Sequence, residues 1–415
     1  MEQFKLSFSG GGFRAAFFCL GAYRRLVELG VHQNIKLLSS VSGGSITAAV
    51  IMMELAEKDF KDVSDFDIRV TEKLKAFGKS NFRNVLLRRA VRPNLGNFRA
   101  ELLRARNSRL LPEMLDEYLF YGMQLTELPE YPVWICNATN LQTLKRISFS
   151  RTKICDEVLG DCMNVSGLTT AEAVAASSAF PVMFEPVHLD LKNRPFDKIK
   201  KQYKNLHLTD GGVYDNLGSE ELLDKGSRYM ILDASARLKA WDTDKQPTWR
   251  ERQSRIFNVS LDQVAELRKK LIRKDDSRGV QLINVETIRE NAAFQEEYWG
   301  SRGHTLDLPA YPELYTDIEK MLAALRTDLD TFSDIEIRTL MWAGAVRADL
   351  GIKVLFSAAE MPADNNRYEV PLIADYTTKD LEVIRLALQH GWKRKKLAGF
   401  FQSSQRRTGK LDKTS

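Results

Sequence analysis

The sequence predicts an α/β fold with a mainly parallel central sheet flanked by helices, and three stretches carry that expectation. "SGGGFRAA" (9–16), "SVSGG" (40–44) and "DGGVYDNLG" (210–218) each place glycine beside a polar side chain directly after a strand-like run. In α/β sheets such junctions gather at the carboxyl ends of strands, the edge where ligands bind.

Taken in order, Lys5–Ser9 alternates and runs into Gly10, Gly11 and Gly12, after which Ala16, Cys19, Leu20, Tyr23, Leu26 and Val27 recur at helical spacing up to Gly30. Lys36–Val41 reads as a second strand and Ile46–Glu57 as a helix apolar on nearly every side, hence buried. Together these form one βαβ unit with parallel strands. Residues 58–130 are charged and helical in pattern, with a basic piece around Arg83, Arg88, Arg89 and Arg92 and a break at Pro93, and read as an insertion or cap.

Strand patterns return at Val133–Asn137 and Lys145–Phe149, and Thr169 and Glu172 form a capping box opening a helix to Ala179. Leu206–Thr209 and Tyr229–Asp233 read as strands, Val259–Ile272 as a helix, Val280–Val285 as a strand and 310–346 as helical. The expected organisation is one α/β domain over 1–345, with 58–130 inserted in it. A C-terminal α/β extension follows over 346–390, with Lys353–Phe356 as its strand and Thr378–His390 as its helix. A basic, flexible tail closes the chain over 391–415.

With 415 residues, 44% hydrophobic and 28% charged, the chain has ordinary globular composition and can build a sizeable core. The four cysteines, Cys19, Cys136, Cys155 and Cys162, form neither a CxxC pair nor a disulfide framework, which suits thiols in a reducing compartment. No export signal opens the sequence, so the expected location is the cytoplasm. The longest apolar stretch, Ile46–Ala56, is about half of the roughly 20 residues a membrane-spanning helix needs. The net charge of +6 is uneven, because the tail from Gly391 holds eight Lys or Arg and one Asp. The body is nearly neutral, and no nucleic-acid partner is expected.

A serine nucleophile needs a sharp turn to expose its hydroxyl, backbone N–H groups to hold an oxyanion, and a base. Ser42, the amides of Gly11, Gly12 and Gly43, and Asp210 can supply these in order. The glycine loop has competing readings. Gly10, Gly12 and Ala15 also fit the dinucleotide pattern GxGxxA, but the next strand ends in Ser39, Ser40 and Val41 rather than in an acidic residue, and no Gly-Lys-Ser/Thr follows. A nucleotide-binding regulatory protein therefore stays as the minor alternative, and a tight turn explains each glycine cluster only singly. None of the five histidines, His32, His188, His207, His304 and His390, sits in a triad-like motif, and His207 and Asp210 would face opposite sides of their strand. That leaves a carboxylate as proton acceptor, a weak base unless desolvation raises it.

These residues resemble the patatin-like phospholipase family. The likeness rests on Gly10, Gly11, Gly12, Phe13 and Arg14 as a Gly-Gly-Gly-x-Arg oxyanion loop, on Ser42 in a G-x-S-x-G elbow, and on Asp210, Gly211 and Gly212 as an Asp-Gly-Gly motif. "AVAASSAFPVMFEPV" (173–187) adds to it, and the likeness covers roughly 4–235, weakening to about 345. One departure is Ser40, which stands where the elbow has its first glycine. The resemblance implies a three-layer fold and a serine acyl hydrolase acting on fatty-acyl esters of membrane phospholipids. It implies a Ser42–Asp210 dyad without histidine and an oxyanion hole from Gly10, Gly11, Gly12 and Gly43, with no cofactor and no metal required. A neutral-lipid lipase or acyl transferase on the same fold is the nearest alternative.

Arg14 is expected to bind substrate phosphate or to support the loop, a solvated arginine being the plain alternative. Asp215 is a lesser candidate base, Ser177 and Ser178 read as small packing residues, and Asp233 borders the site or caps a turn. The expected partners are a lipid ester and a membrane surface, with the tail's basic residues and Trp392, Phe400 and Phe401 aiding peripheral docking. An activating ligand or protein is compatible with such a hydrolase, although no residue marks one.

Overall fold

The computed structural model describes residues 2–91, 100–181, 183–198, 203–223, 227–235, 248–274, 280–284, 316–327, 329–356, 360 and 378–393. The tail beyond Lys393, Pro93 and His304 lie outside these.

Phe4–Phe8 (β1) pairs in parallel with Ile35–Val41 (β2), the two joined by the helix Gly12–Glu28 (α1). All of β1 is buried, as a strand covered on both sheet faces must be, which is why FKLSF carries two aromatic rings and a leucine. Beyond β2 the chain enters Gly43–Glu57 (α2), buried at every position from Gly43 to Leu55, in keeping with its all-round apolar sequence.

The described strands that follow are Val133–Asn140 (β3), Lys145–Phe149 (β4), Ile154–Asp156 (β5), Gly160–Cys162 (β6), Val187–Asp190 (β7), Asn205–Asp210 (β8), Arg228–Asp233 (β9) and Val280–Asn284 (β10). The order β10-β9-β1-β2-β3 is parallel throughout, while β4, β5 and β6 continue the sheet antiparallel. β8 runs antiparallel to β3 and carries β7. The expected βαβ unit and parallel centre are present. The short strands β5, β6 and β7 were not anticipated, since three or four residues such as GDC or VHLD are too few to establish a period.

Residues 58–130 hold the helices Val63–Phe66, Glu72–Gly78, Phe82–Val91 and Ala100–Leu115. The buried Arg83 guanidinium meets Asp330 at 3.1 Å and ties this region to the segment before the helix Asp334–Leu355. That helix starts at a capping box of Ser333 and Glu336 and crosses the expected boundary at 345 without a break. Residues Lys353–Leu355, expected in a strand, are its last turn. Ala348, Ile352 and Leu355 lie in the same buried cluster as Phe18 and Tyr23 of α1. Among the described residues no helix is long and apolar enough to cross a membrane.

The contact between α1 and Asp334–Leu355 is backbone-close. A Cβ on Gly344 would lie 1.9 Å from the Phe18 carbonyl oxygen, and one on Gly21 would lie 1.9 Å from that of Met341. Backbone cannot yield as a flexible side chain can. Gly344→Ala is therefore expected to destabilise the protein by about 3 kcal/mol, through helix separation or strain, readable as a lowered urea midpoint.

Candidate active site

The position of the site follows from strand register on β3. Val41, the last residue of β2, sits opposite Asn137, and Asp210, the last residue of β8, sits opposite Ala138. Because β4 takes one edge of β3 over 136–140, β2 and β8 share the other edge. Their carboxyl ends consequently meet head to head, and the residue after Val41 is Ser42. Its Oγ donates a 2.7 Å hydrogen bond to Asp210 Oδ2.

Ser42 holds φ 51° and ψ −122°, a conformation uncommon for any side chain other than glycine. Such strain persists only where the surroundings fix it. Here they do. A Cβ on Gly43 would lie 2.0 Å from the Gly12 carbonyl oxygen, and one on Gly44 would come within 2.6 Å of that of Ser9. The elbow and the glycine loop after β1 therefore touch backbone to backbone, which explains why both are glycine-rich.

Below the elbow a line of serines fixes its backbone. The Ser42 N–H donates to Ser177 Oγ at 2.9 Å, Ser177 and Ser45 share a 2.9 Å hydroxyl contact, and Ser45 donates to Ser40 Oγ at 2.9 Å. Ser40 also accepts from Trp134 Nε1 at 2.9 Å and donates to the Ile135 carbonyl at 3.5 Å. Each hydroxyl thus passes one proton onward, so the chain has a single direction, with Ser177 donating to Ser45. The serine at the expected glycine position is paired through this line, and Ser177, expected only to pack, is the acceptor for the elbow amide. Its signal was in the sequence: a small hydroxyl residue next to two alanines in a helix with four of them.

Asp210 is 3% exposed. Its N–H donates to the Ala179 carbonyl at 3.1 Å, its carbonyl accepts from Thr139 Oγ1 at 2.9 Å, and Oδ1 accepts from the Gly212 N–H at 2.8 Å. Burial pushes its pKa up to about 6, outweighing the hydrogen bonds from Ser42 and Gly212 that favour the charged form. This moves the carboxylate towards the range in which it can accept a proton near neutrality.

The glycine loop is more divided than expected. The Gly10 N–H donates to the Asn216 carbonyl at 2.9 Å and fastens the loop there. Gly11 caps α1 with φ 138°, while Gly12 and Gly43 open α1 and α2, where N–H groups have no intrahelical acceptor. Two helix N-termini thus converge beside Ser42.

Arg14 is fully buried and does not face a ligand. Nε donates to the Ala234 carbonyl at 2.9 Å, and Nη1 to those of Ala323 and Leu325, both at 3.0 Å. Burial lowers its pKa to about 10 despite the nearby Asp233 carboxylate. Of the two expected roles, the contacts are those of loop support.

Asp215 accepts from the N–H groups of Leu217 at 3.0 Å and Ser219 at 2.6 Å, and holds a turn. Asp233 pairs with Lys269 Nζ at 2.9 Å, and this charge contributes to holding its carboxyl below the usual range. Among the described histidines, His32 is buried beside Tyr23 and Phe60, and His188 and His207 pack ring to ring at 4.4 Å, with His207 hydrogen-bonded to Gln142. A cavity of about 600 Å³ is lined by Leu86, Leu111, Phe184, Phe257, Thr209 and Val213; the last two lie within three positions of Asp210 in the chain, while Ser42 and Asp210 are not part of its lining.

A family model for patatin-like phospholipase matches residues 6–223. No curated protein matches the chain. Among solved structures, human GIVD cytosolic phospholipase A2 is similar over 94% of this chain and 63% of its own, at 12% identity and a TM-score of 0.43. The chain thus spans less than two thirds of that protein's length. VipD from Legionella pneumophila is similar over 88% of this chain and 93% of its own, at 15% identity and a TM-score of 0.30.

Proposed function

The chain belongs to the patatin-like phospholipase family, and from that premise we propose that it is a serine acyl hydrolase cleaving fatty-acyl esters of membrane phospholipids. The observation that carries this reading is the 2.7 Å bond from Ser42 Oγ to Asp210 Oδ2, made at a strained elbow by a buried carboxylate of raised pKa. Ser42 Oγ attacks the ester carbonyl while Asp210 takes its proton. The N–H groups of Gly11, Gly12 and Gly43 receive the negative charge that develops on the carbonyl oxygen. Asp210 then returns the proton to the departing alkoxide, leaving an acyl-Ser42 ester. Water, deprotonated by the same carboxylate, attacks that ester, and Asp210 passes the proton to the departing Ser42 Oγ as the fatty acid is released. The apolar cavity lined by Thr209, Val213 and Phe257 suits the acyl chain.

The test is product analysis on phosphatidylcholine and triacylglycerol dispersions with wild type and Ser42→Ala. Fatty acid with lysophospholipid, absent from the variant, is the expected result. Release from triacylglycerol alone, or acyl groups moved to an added alcohol without free acid, would instead assign a lipase or a transferase.

Ser177 acts on this reaction only through the elbow. Ser177→Ala leaves the buried Ser42 N–H without its acceptor, at a cost of roughly 1–3 kcal/mol. If the cost falls on the transition state, kcat drops by about tenfold with KM unchanged. A raised KM at constant kcat would remove Ser177 from the positioning role.

A further inference from the structure

We propose that the outward face of the helix Trp249–Lys274 docks the protein on anionic lipid surfaces. The proposal rests on the acyl-hydrolase reading above, because it names where the enzyme meets its substrate. One side of this helix is committed to the protein. Ala265, Lys269 and Ile272 are buried, Lys269 reaches Asp233, and Arg268 bonds Glu220 at 2.7 Å and lies over the Tyr214 ring.

The opposite side carries exposed apolar residues, with the exposed Gln253 and Ser260 among them. Trp249, Ile256, Leu267 and Leu271 are 65%, 61%, 58% and 67% exposed, and at 100° per residue they fall within about 60° of arc. The stripe extends over about 33 Å of helix. A soluble protein gains nothing by holding such a row in water, and rows of this kind mark contact surfaces.

Charge selects the occupant. The helix carries eight basic and three acidic residues, and the exposed side chains of Arg252 and Lys270 lie on one flank of the stripe. Glu266, at the boundary of the inward side, is taken by Lys269 at 3.0 Å. An apolar face with a basic flank is the pattern of a helix lying in a lipid headgroup layer, with anionic headgroups drawn to the Lys and Arg. A second copy of the chain would instead set two basic helices against each other. The stripe also adjoins the cavity: Phe257, one position from Ile256, lines it and packs on Phe180 at 5.6 Å. A bilayer on the outward face therefore lies one helix diameter from the cavity wall.

The experiment uses the full chain and compares sedimentation with phosphatidylcholine vesicles, with or without phosphatidylserine, for wild type and for Leu267→Glu combined with Leu271→Glu. Wild type is expected to favour the anionic vesicles and to release them as salt rises, and the variant to bind them about tenfold more weakly. Hydrolysis of a soluble short-chain ester by the same variant, expected at the wild-type rate, reports an intact fold. Should that ester activity be lost with vesicle binding, Arg252→Glu combined with Lys270→Glu decides, by weakening binding and flattening its salt dependence. Equal vesicle binding by wild type and variants overturns the proposal. So does a wild-type dimer that the leucine variant dissociates without change in vesicle binding. A wild type that binds vesicles through this face yet hydrolyses no ester would overturn the hydrolase reading and leave the surface standing.

Discussion

Ser42→Ala is expected to lower ester hydrolysis by about 10⁶-fold, the loss typical when a serine nucleophile is removed. The size of the effect comes from the geometry. Ser42 Oγ is the hydroxyl bonded to Asp210, and it stands at an elbow whose amide is fixed by Ser177 and whose flank touches Gly12. Alanine at 42 keeps that backbone, so folding is expected to survive while the covalent step cannot occur. Two measurements check it: the rate on a soluble ester, and labelling by a fluorophosphonate, which should add one adduct to the wild type at Ser42 and none to the variant. Near-normal turnover by Ser42→Ala would rule out the mechanism.

Asp210→Asn is expected to cost on the order of 10⁴–10⁶-fold in kcat while making the protein more stable at neutral pH. The two effects have one cause. Folding raises the carboxyl from its unfolded value of 3.8 to about 6, so this group stabilises the fold below the lower value and loses that contribution as pH rises through the higher one. At pH 7 the buried, ionised Asp210 costs on the order of 2–3 kcal/mol. Asparagine carries no charge, so the variant should melt higher than wild type at pH 7, with the difference vanishing near pH 4. With this carboxyl as the proposed base, the wild-type rate is expected to fall about tenfold per pH unit below about 6. An Asp210→Asn enzyme with wild-type turnover would return the proton to another acceptor.

Much of this arrangement was legible in the sequence because local chemistry wrote it. The capping box at Thr169 and Glu172, the all-round apolar α2 and the glycine loop after β1 each involve residues a few positions apart. The absence of a triad-like histidine motif also pointed to a carboxylate. What could not be read was long-range. Ser177 meets Ser42 across 135 positions, and Arg14 meets Ala234 across 220; no period or spacing links such pairs. Gly10 looked interchangeable with Gly11 and Gly12 until Asn216 took its N–H. Arg14 invited a ligand because a cation at a helix start is unfavourable, and the resolution lay in three carbonyl oxygens on distant segments. The helix ending at Leu355 was missed at its last turn, where Val354, Leu355 and Phe356 mimic a short strand.

The fastening of Arg14 also sets an order in time. Ser42, Asp210 and Asn216 have all left the ribosome once residue 223, the limit of the family match, has emerged. Two of the carbonyls that hold Arg14, those of Ala323 and Leu325, are about 100 residues further on. At synthesis rates of roughly 5–20 residues per second, that stretch takes about 5–20 seconds to make. During that interval the nascent chain already carries its serine and aspartate, but the glycine loop lacks the far anchors of its arginine. Translation itself therefore separates possession of the reactive side chains from completion of the frame that aims them.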